Sequence, residues 1–64
     1  MNTPIPADDA LRLPYPERAA WYRDQAAIAL EAAHAATHPD ARSIFLGVAE
    51  NWIQLANHTE KLGV

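Results

Sequence analysis

The placement of proline constrains the fold of this 64-residue chain more than any other feature of its sequence. Four of the five prolines fall within the first sixteen residues, where each restricts its own backbone and disfavours helical geometry in the residue before it. We therefore expect residues 1–15 to form an extended, Pro-rich N-terminal arm. Its apolar side chains include Ile5, Leu11 and Leu13, which could lie along the segments that follow.

The first helix is predicted over residues 16–37, a stretch that is rich in Ala and contains no Gly. Pro16 suits the first helical position, and the carboxylate of Glu17 suits the positive end of the helix dipole. Pro39 disfavours helical geometry in the residue before it, so the helix must end near residue 37.

The second helix is predicted over residues 39–62. His38 lies near its N-cap, Asp40 favours its N-terminal dipole, and Gly63 follows its last residue. Because the link between the two helices is only about two residues long, they must be antiparallel neighbours. The sequence thus predicts an all-α fold, an antiparallel two-helix hairpin over residues 16–62.

A chain this short buries only about 60% of the surface that it exposes when unfolded. Disulfides, a structural metal or oligomerisation usually supplement so small a core. The absence of cysteine removes disulfides and all thiolate zinc sites. We therefore expect oligomerisation to supply the stability that so small a core lacks.

Charge and hydropathy exclude two classes of partner. The net charge is −3, and the five Lys and Arg residues are scattered, whereas a nucleic-acid surface needs clustered positive charge. The N-terminus has no signal-peptide pattern, and the apolar runs are far shorter than a membrane span. We expect no nucleic acid or membrane partner and a cytoplasmic location.

Each predicted helix has one apolar stripe suited to the other helix. The stripe of the first helix is mostly small, and that of the second is bulky, so small side chains would face large ones across the hairpin. The predicted hairpin core consists of Tyr22, Ala26, Ala29, Phe45, Val48, Trp52 and Leu55.

A second set of apolar residues lies about 100° or more around each helix from that stripe. It consists of Trp21 and Ile28 on the first helix and Leu46 and Ile53 on the second. Two helices in contact can cover one stripe each, so we expect these four residues to form an assembly seam. The simplest assembly is a homodimer in which two hairpins form a four-helix bundle.

The two helical segments resemble a group of small uncharacterised proteins common in alphaproteobacteria. Those chains read approximately W/Y-R-x-R-A-x-x-A, then D-P-x-A-R, then L-x-x-A-x-x-Y/W-x-x-L-A. The matching positions are Tyr22, Arg23, Ala26, Ala29, Pro39, Ala41, Arg42, Leu46, Ala49, Trp52, Leu55 and Ala56. The resemblance covers about two-thirds of the chain and implies a helical hairpin with no assigned activity. The chain departs from the pattern at His38, Ile28, Leu30 and Ile53.

Glu31 and His34 have the Glu-x-x-His spacing found in bundle di-iron sites, but they point away from the predicted core, as does Glu50. His34 and His38 have a zinc-like spacing that Pro39 interrupts. We expect no metal site and no cofactor at these residues. With no Cys nucleophile, phosphate loop or nucleophile motif, we also expect no catalytic residues and no enzymatic activity.

The leading functional hypothesis is therefore a non-enzymatic, self-associating interaction or regulatory module, for which an unknown protein partner also stays open. A metal- or ligand-binding helical bundle using Glu31, His34 and Glu50 is the alternative. Nucleic-acid binding of the kind known for the RNA-binding Rop protein ranks last, since it would need a basic stripe along two helices.

Overall fold

A computed structural model describes residues 7–63, and all regular secondary structure within them is helical. The elements are α1 (Ala7–Ala10), α2 (Tyr15–Ala35) and α3 (Pro39–Leu62). Helices α2 and α3 pack against each other, which confirms the predicted helical hairpin. Neither of them has a stretch long and apolar enough to cross a membrane.

Two hydrogen bonds of side chains fix the link between α2 and α3. As predicted, His38 is the N-cap of α3, and its Nδ1 accepts a hydrogen bond from the backbone N–H of Asp40 at 3.2 Å. The guanidinium of Arg42 donates to the carbonyl oxygen of Ala36 at 3.0 Å, which satisfies a group at the C-terminal end of α2. The link is therefore held by two side chains from the start of α3.

The N-terminal arm is less extended than its prolines predict. It contains the single helical turn of α1, and its last part is tied to α2 by Arg18. The Arg18 guanidinium donates to the carbonyl oxygens of Leu11 at 2.6 Å and Leu13 at 3.1 Å, and lies 5.1 Å from the ring centroid of Tyr15. These bonds satisfy backbone groups that the proline-rich sequence leaves without helical partners. Ile5 lies outside the described residues.

Small side chains line the contact between α2 and α3. The buried residues of the two helices are Ala19, Tyr22, Ala26, Ala29, Ala33, Ala49, Ala56 and Thr59. The Thr59 hydroxyl donates to the carbonyl oxygen of Leu55 at 2.8 Å, which satisfies a polar group in this position. Among the described residues, no large side chain is fully buried.

The predicted hairpin core is correct for α2 and wrong for most of α3. Tyr22, Ala26 and Ala29 are buried, as expected, and Trp52 is half-buried. Phe45, Val48 and Leu55, however, are 37%, 40% and 39% exposed. The close approach of two helices requires small residues on both, so α3 turns Ala49, Ala56 and Thr59 toward α2 and its larger side chains lie beside the contact.

The hairpin is a plate with one layer of helices. Helices α2 and α3 lie side by side, and within the described residues no other long helix packs on them. Stable domains usually have two packed layers. Among the described residues, only the segment around α1 lies beside this layer: Ala10 is fully buried, and Arg18 bonds to the carbonyl oxygens of Leu11 and Leu13.

The two glycines of the chain provide a test of the contact between the end of α3 and the start of α2. A Cβ added at Gly63 would lie 2.9 Å from the Cβ of Tyr15, because the end of α3 touches the start of α2. A Cβ added at Gly47 would meet nothing within 4 Å. Gly63→Ala should therefore lower the free energy of unfolding by about 1 kcal/mol. Gly47→Ala should raise it by about 0.5–1 kcal/mol.

Thermal and urea unfolding at equal protein concentration measures both changes. A Gly63→Ala variant that is more stable than the wild type would show that the two helix ends do not touch.

Candidate interaction surface

An aromatic cluster joins the two helices at one side of their contact. The ring of Tyr22 stacks on Trp52, with centroids 5.8 Å apart and planes inclined by 23°. Trp21 meets Trp52 edge to face at 5.8 Å and Tyr22 edge to face at 5.7 Å. Such aromatic pairs add about 0.5–1.5 kcal/mol each beyond the area they bury. The cluster supplies the large apolar contacts that the small-residue core lacks.

The Trp21 and Trp52 rings mark one broad side of the plate, whose central positions are uncharged among the described residues; Arg18, three residues before Trp21, lies at its edge and bonds to the N-terminal arm. Residues at helical spacings from the two Trp positions share this side. We call it the uncharged face. It consists of Trp21, Gln25, Ile28 and Ala32 from α2 and Ile44, Phe45, Val48, Asn51, Trp52 and Leu55 from α3. Ile28 and Ile44 are its most exposed large side chains, at 59% and 65%.

The opposite side combines apolar and charged residues, and we call it the mixed face. The Arg23 guanidinium crosses this side to donate to Asn57 Oδ1 at 3.0 Å and to the carboxylate of Glu60, with which it forms an ion pair. The face consists of Arg23, Leu30, His34, Arg42, Leu46, Ile53, Asn57 and Glu60. Near the link, a cavity of about 320 Å³ opens between Ala33, His34, Arg42 and Leu46.

The structure does not bring the four residues of the predicted assembly seam together. Trp21 and Ile28 lie on the uncharged face, whereas Leu46 and Ile53 lie on the mixed face, 47% and 40% exposed. In antiparallel helices, side chains rotated in the same sense from the contact line reach the same side of the pair. The four residues are rotated in opposite senses, so they belong to two surfaces and not to one.

A hole in the uncharged face lies on α3. It has a volume of about 260 Å³ and is lined by Val48, Asn51, Trp52 and Leu55. These residues occupy positions i, i+3, i+4 and i+7 of one helix, which surround a single point on the helix surface. Three of them were assigned to the hairpin core from the sequence, and Asn51 was missed. Asn51 could have been found from its spacing of three residues from Val48 and four from Leu55.

The candidate metal ligands are dispersed over the surface. Glu31, His34 and Glu50 are exposed, and the Glu50 carboxylate accepts a hydrogen bond from Gln54 at 3.4 Å. His38 is engaged in capping α3. Within the part of the chain that the structure describes, no three His, Cys, Asp or Glu side chains are grouped closely enough to hold a metal ion.

No family model, no curated protein and no solved structure matches this chain. The resemblance to the alphaproteobacterial group therefore stays a prediction that rests on the residues of the two helices.

Removing the central ring of the aromatic cluster should unfold much of the protein. Trp52→Ala deletes the contacts with Tyr22 and Trp21, and we expect the free energy of unfolding to fall by about 3 kcal/mol, the lower end of the range for emptying a large aromatic site. Leu30→Ala, at a 40% exposed position of the mixed face, is the control and should cost less. Urea unfolding followed by circular dichroism measures both, and equal losses would contradict the role given to the cluster.

Glu31→Ala combined with His34→Ala should change the free energy of unfolding by less than about 0.5 kcal/mol, because both side chains are exposed and lie away from helix caps. Urea unfolding measures this change. We also expect that neither the wild type nor the double variant contains a stoichiometric metal, and metal analysis of both purified proteins checks this. A bound metal that is lost in the variant would support the ligand-binding alternative.

Proposed function

We propose that this chain is a non-enzymatic interaction module that acts by self-association, with two hairpins forming a four-helix bundle. The observation that carries the proposal is the one-layer plate, which exposes large apolar side chains on both broad sides while no large side chain is fully buried among the described residues. A second hairpin would supply the missing layer.

The exposed area supports this proposal. The chain exposes 4906 Å², whereas a compact monomer of 7.0 kDa exposes about 4,000 Å² by the usual scaling with mass. The excess of about 900 Å², which includes the N-terminal arm, is of the same order as the area that each partner buries in a standard protein interface, about 800 Å². Docking one broad side on a second copy would remove most of the excess.

The free energy gained by burying apolar side chains also supports self-association. Ile28, Val48 and Leu55 are 59%, 40% and 39% exposed in the hairpin, so burial of their remaining surface contributes about half of the 1.5–3 kcal/mol for complete burial of such a side chain. A two-fold assembly repeats each contribution in both copies. The whole stability of a small domain is only about 5–15 kcal/mol, so a few such side chains decide whether the hairpin is folded.

Charged residues placed on both broad sides should abolish self-association whichever side is used. Ile28 lies on the uncharged face and Ile53 on the mixed face, so the double variant Ile28→Glu, Ile53→Glu introduces a carboxylate into either interface. Burial of unpaired carboxylates is costly. We expect the wild type to sediment as a dimer or larger at micromolar concentration, and the double variant to be monomeric and largely unfolded.

The matched control is Ala20→Glu with Ser43→Glu, which adds the same charge at exposed positions outside both faces. The control should sediment like the wild type. Sedimentation velocity with parallel circular dichroism decides the matter, and a wild type that stays monomeric and cooperatively folded on dilution would refute the proposal.

A further inference from the structure

The hole on α3 has the geometry that receives a side chain from another helix. In helix-to-helix packing of the knobs-into-holes kind, each inserted side chain enters a hole formed by four residues of the facing helix. The four residues around the hole, Val48, Asn51, Trp52 and Leu55, have the i, i+3, i+4, i+7 spacing of such a hole. Helix α2 does not fill it, because α2 packs on the adjacent stripe of Ala49 and Ala56.

We propose that the occupant of this hole is Ile28 from a second copy of the chain, so that the uncharged faces of two hairpins meet. This inference rests on the self-association proposed above and specifies its interface. Ile28 is the most exposed large apolar side chain of α2, at 59%, and it lies on the same face as the hole.

A dimer with two-fold symmetry fills the hole of each copy with the Ile28 of the other. A two-fold axis parallel to the helices and lying between the two uncharged faces places α2 of each copy over α3 of the other, in antiparallel orientation. Each copy then offers one Ile28 and receives one Ile28. The interface is closed and self-complementary, as expected of a dimer.

The distribution of charged side chains favours the uncharged face over the mixed face as the dimer interface. Pairing two mixed faces would remove the Arg23 and Glu60 ion pair from water together with His34 and Arg42, and desolvation of charged groups is costly. Pairing two uncharged faces removes apolar groups and neutral amides from water at its centre, and Arg18 at its edge already donates to the carbonyl oxygens of Leu11 and Leu13. The Asn51 side chain has no hydrogen-bond partner among the described residues, so its amide is available to a group of the second copy.

The sharpest test is a pair of nearly isosteric substitutions that differ only in the face on which they place a carboxylate. Asn51→Asp puts one charge per copy at the rim of the hole. Asn57→Asp puts the same charge on the mixed face, where the Arg23 guanidinium already donates to this side-chain oxygen. We expect Asn51→Asp to raise the Kd of the dimer at least about 30-fold, and Asn57→Asp to leave it within about threefold of the wild type.

A second pair removes volume instead of adding charge. Ile28→Ala deletes the inserted side chain, and Ile53→Ala makes a similar change on the mixed face at a position that is 40% exposed. Alanine favours the helix at both positions. Ile28→Ala should raise the Kd at least about tenfold more than Ile53→Ala does.

Sedimentation velocity over a concentration series measures the Kd of the full chain and its four variants, and circular dichroism verifies their helicity. If the wild type dimerises and Asn57→Asp or Ile53→Ala weakens the dimer while the uncharged-face variants do not, this inference is overturned and the self-association stands. Equal weakening by both members of a pair would also overturn it. A monomeric wild type would refute the self-association itself.

Discussion

The close contact between α2 and α3 through alanine determines most of the structure. Alanine on both helices lets their backbones approach, but each such residue removes little apolar area from water. Among the described residues, the aromatic contacts across the hairpin are made by the rings of Trp21, Tyr22 and Trp52 beside the helix contact. A thin core of this kind leaves the other large side chains outside it, and the protein has the form of a one-layer plate.

The sequence predicted the helices and their ends well, because the signals for them are local. Pro39 and His38 define the start of α3 through the fixed backbone of one and the capping nitrogen of the other, and α3 spans the predicted residues. Helix α2 begins at Tyr15 and ends at Ala35, within two residues of its predicted bounds. The segment of α1 between the two proline pairs can form a single helical turn, as its sequence suggests, whereas the attachment of this segment through Arg18 has no sequence signature because it uses backbone carbonyl oxygens.

The orientation of α3 was the part that the sequence could not determine. Its apolar residues span more than half of its circumference, so several rotations about its axis would each bury an apolar stripe. The bulk of Phe45, Val48 and Leu55 predicts that these residues face the small stripe of α2. The structure instead buries Ala49 and Ala56, because the distance between two alanine-lined backbones leaves no room for large side chains.

The wrong rotation of α3 about its axis also explains why the four residues of the predicted assembly seam do not lie on one surface. Once the contact stripe of α3 is known to contain Ala49 and Ala56, the positions of Leu46 and Ile53 on the mixed face follow from helical geometry alone. The division of the molecule into an uncharged and a mixed face thus depends on one quantity, the rotation of α3. The pattern of charges could have indicated that rotation, since Arg23 can meet Glu60 only on the side away from Trp21.

The proposed self-association would be coupled to folding, because both would use some of the same side chains. Trp52 packs on Tyr22 within the hairpin and also lines the hole of the uncharged face. If a second copy fills that hole, it covers Trp52 and stabilises the hairpin in the same step. A ligand that binds only the folded state raises the apparent stability of that state as ligand concentration increases, and in the proposed dimer the ligand would be a second copy of the chain. The thin alanine contact sets the hairpin geometry, and the proposed dimer would supply the apolar burial that this contact lacks.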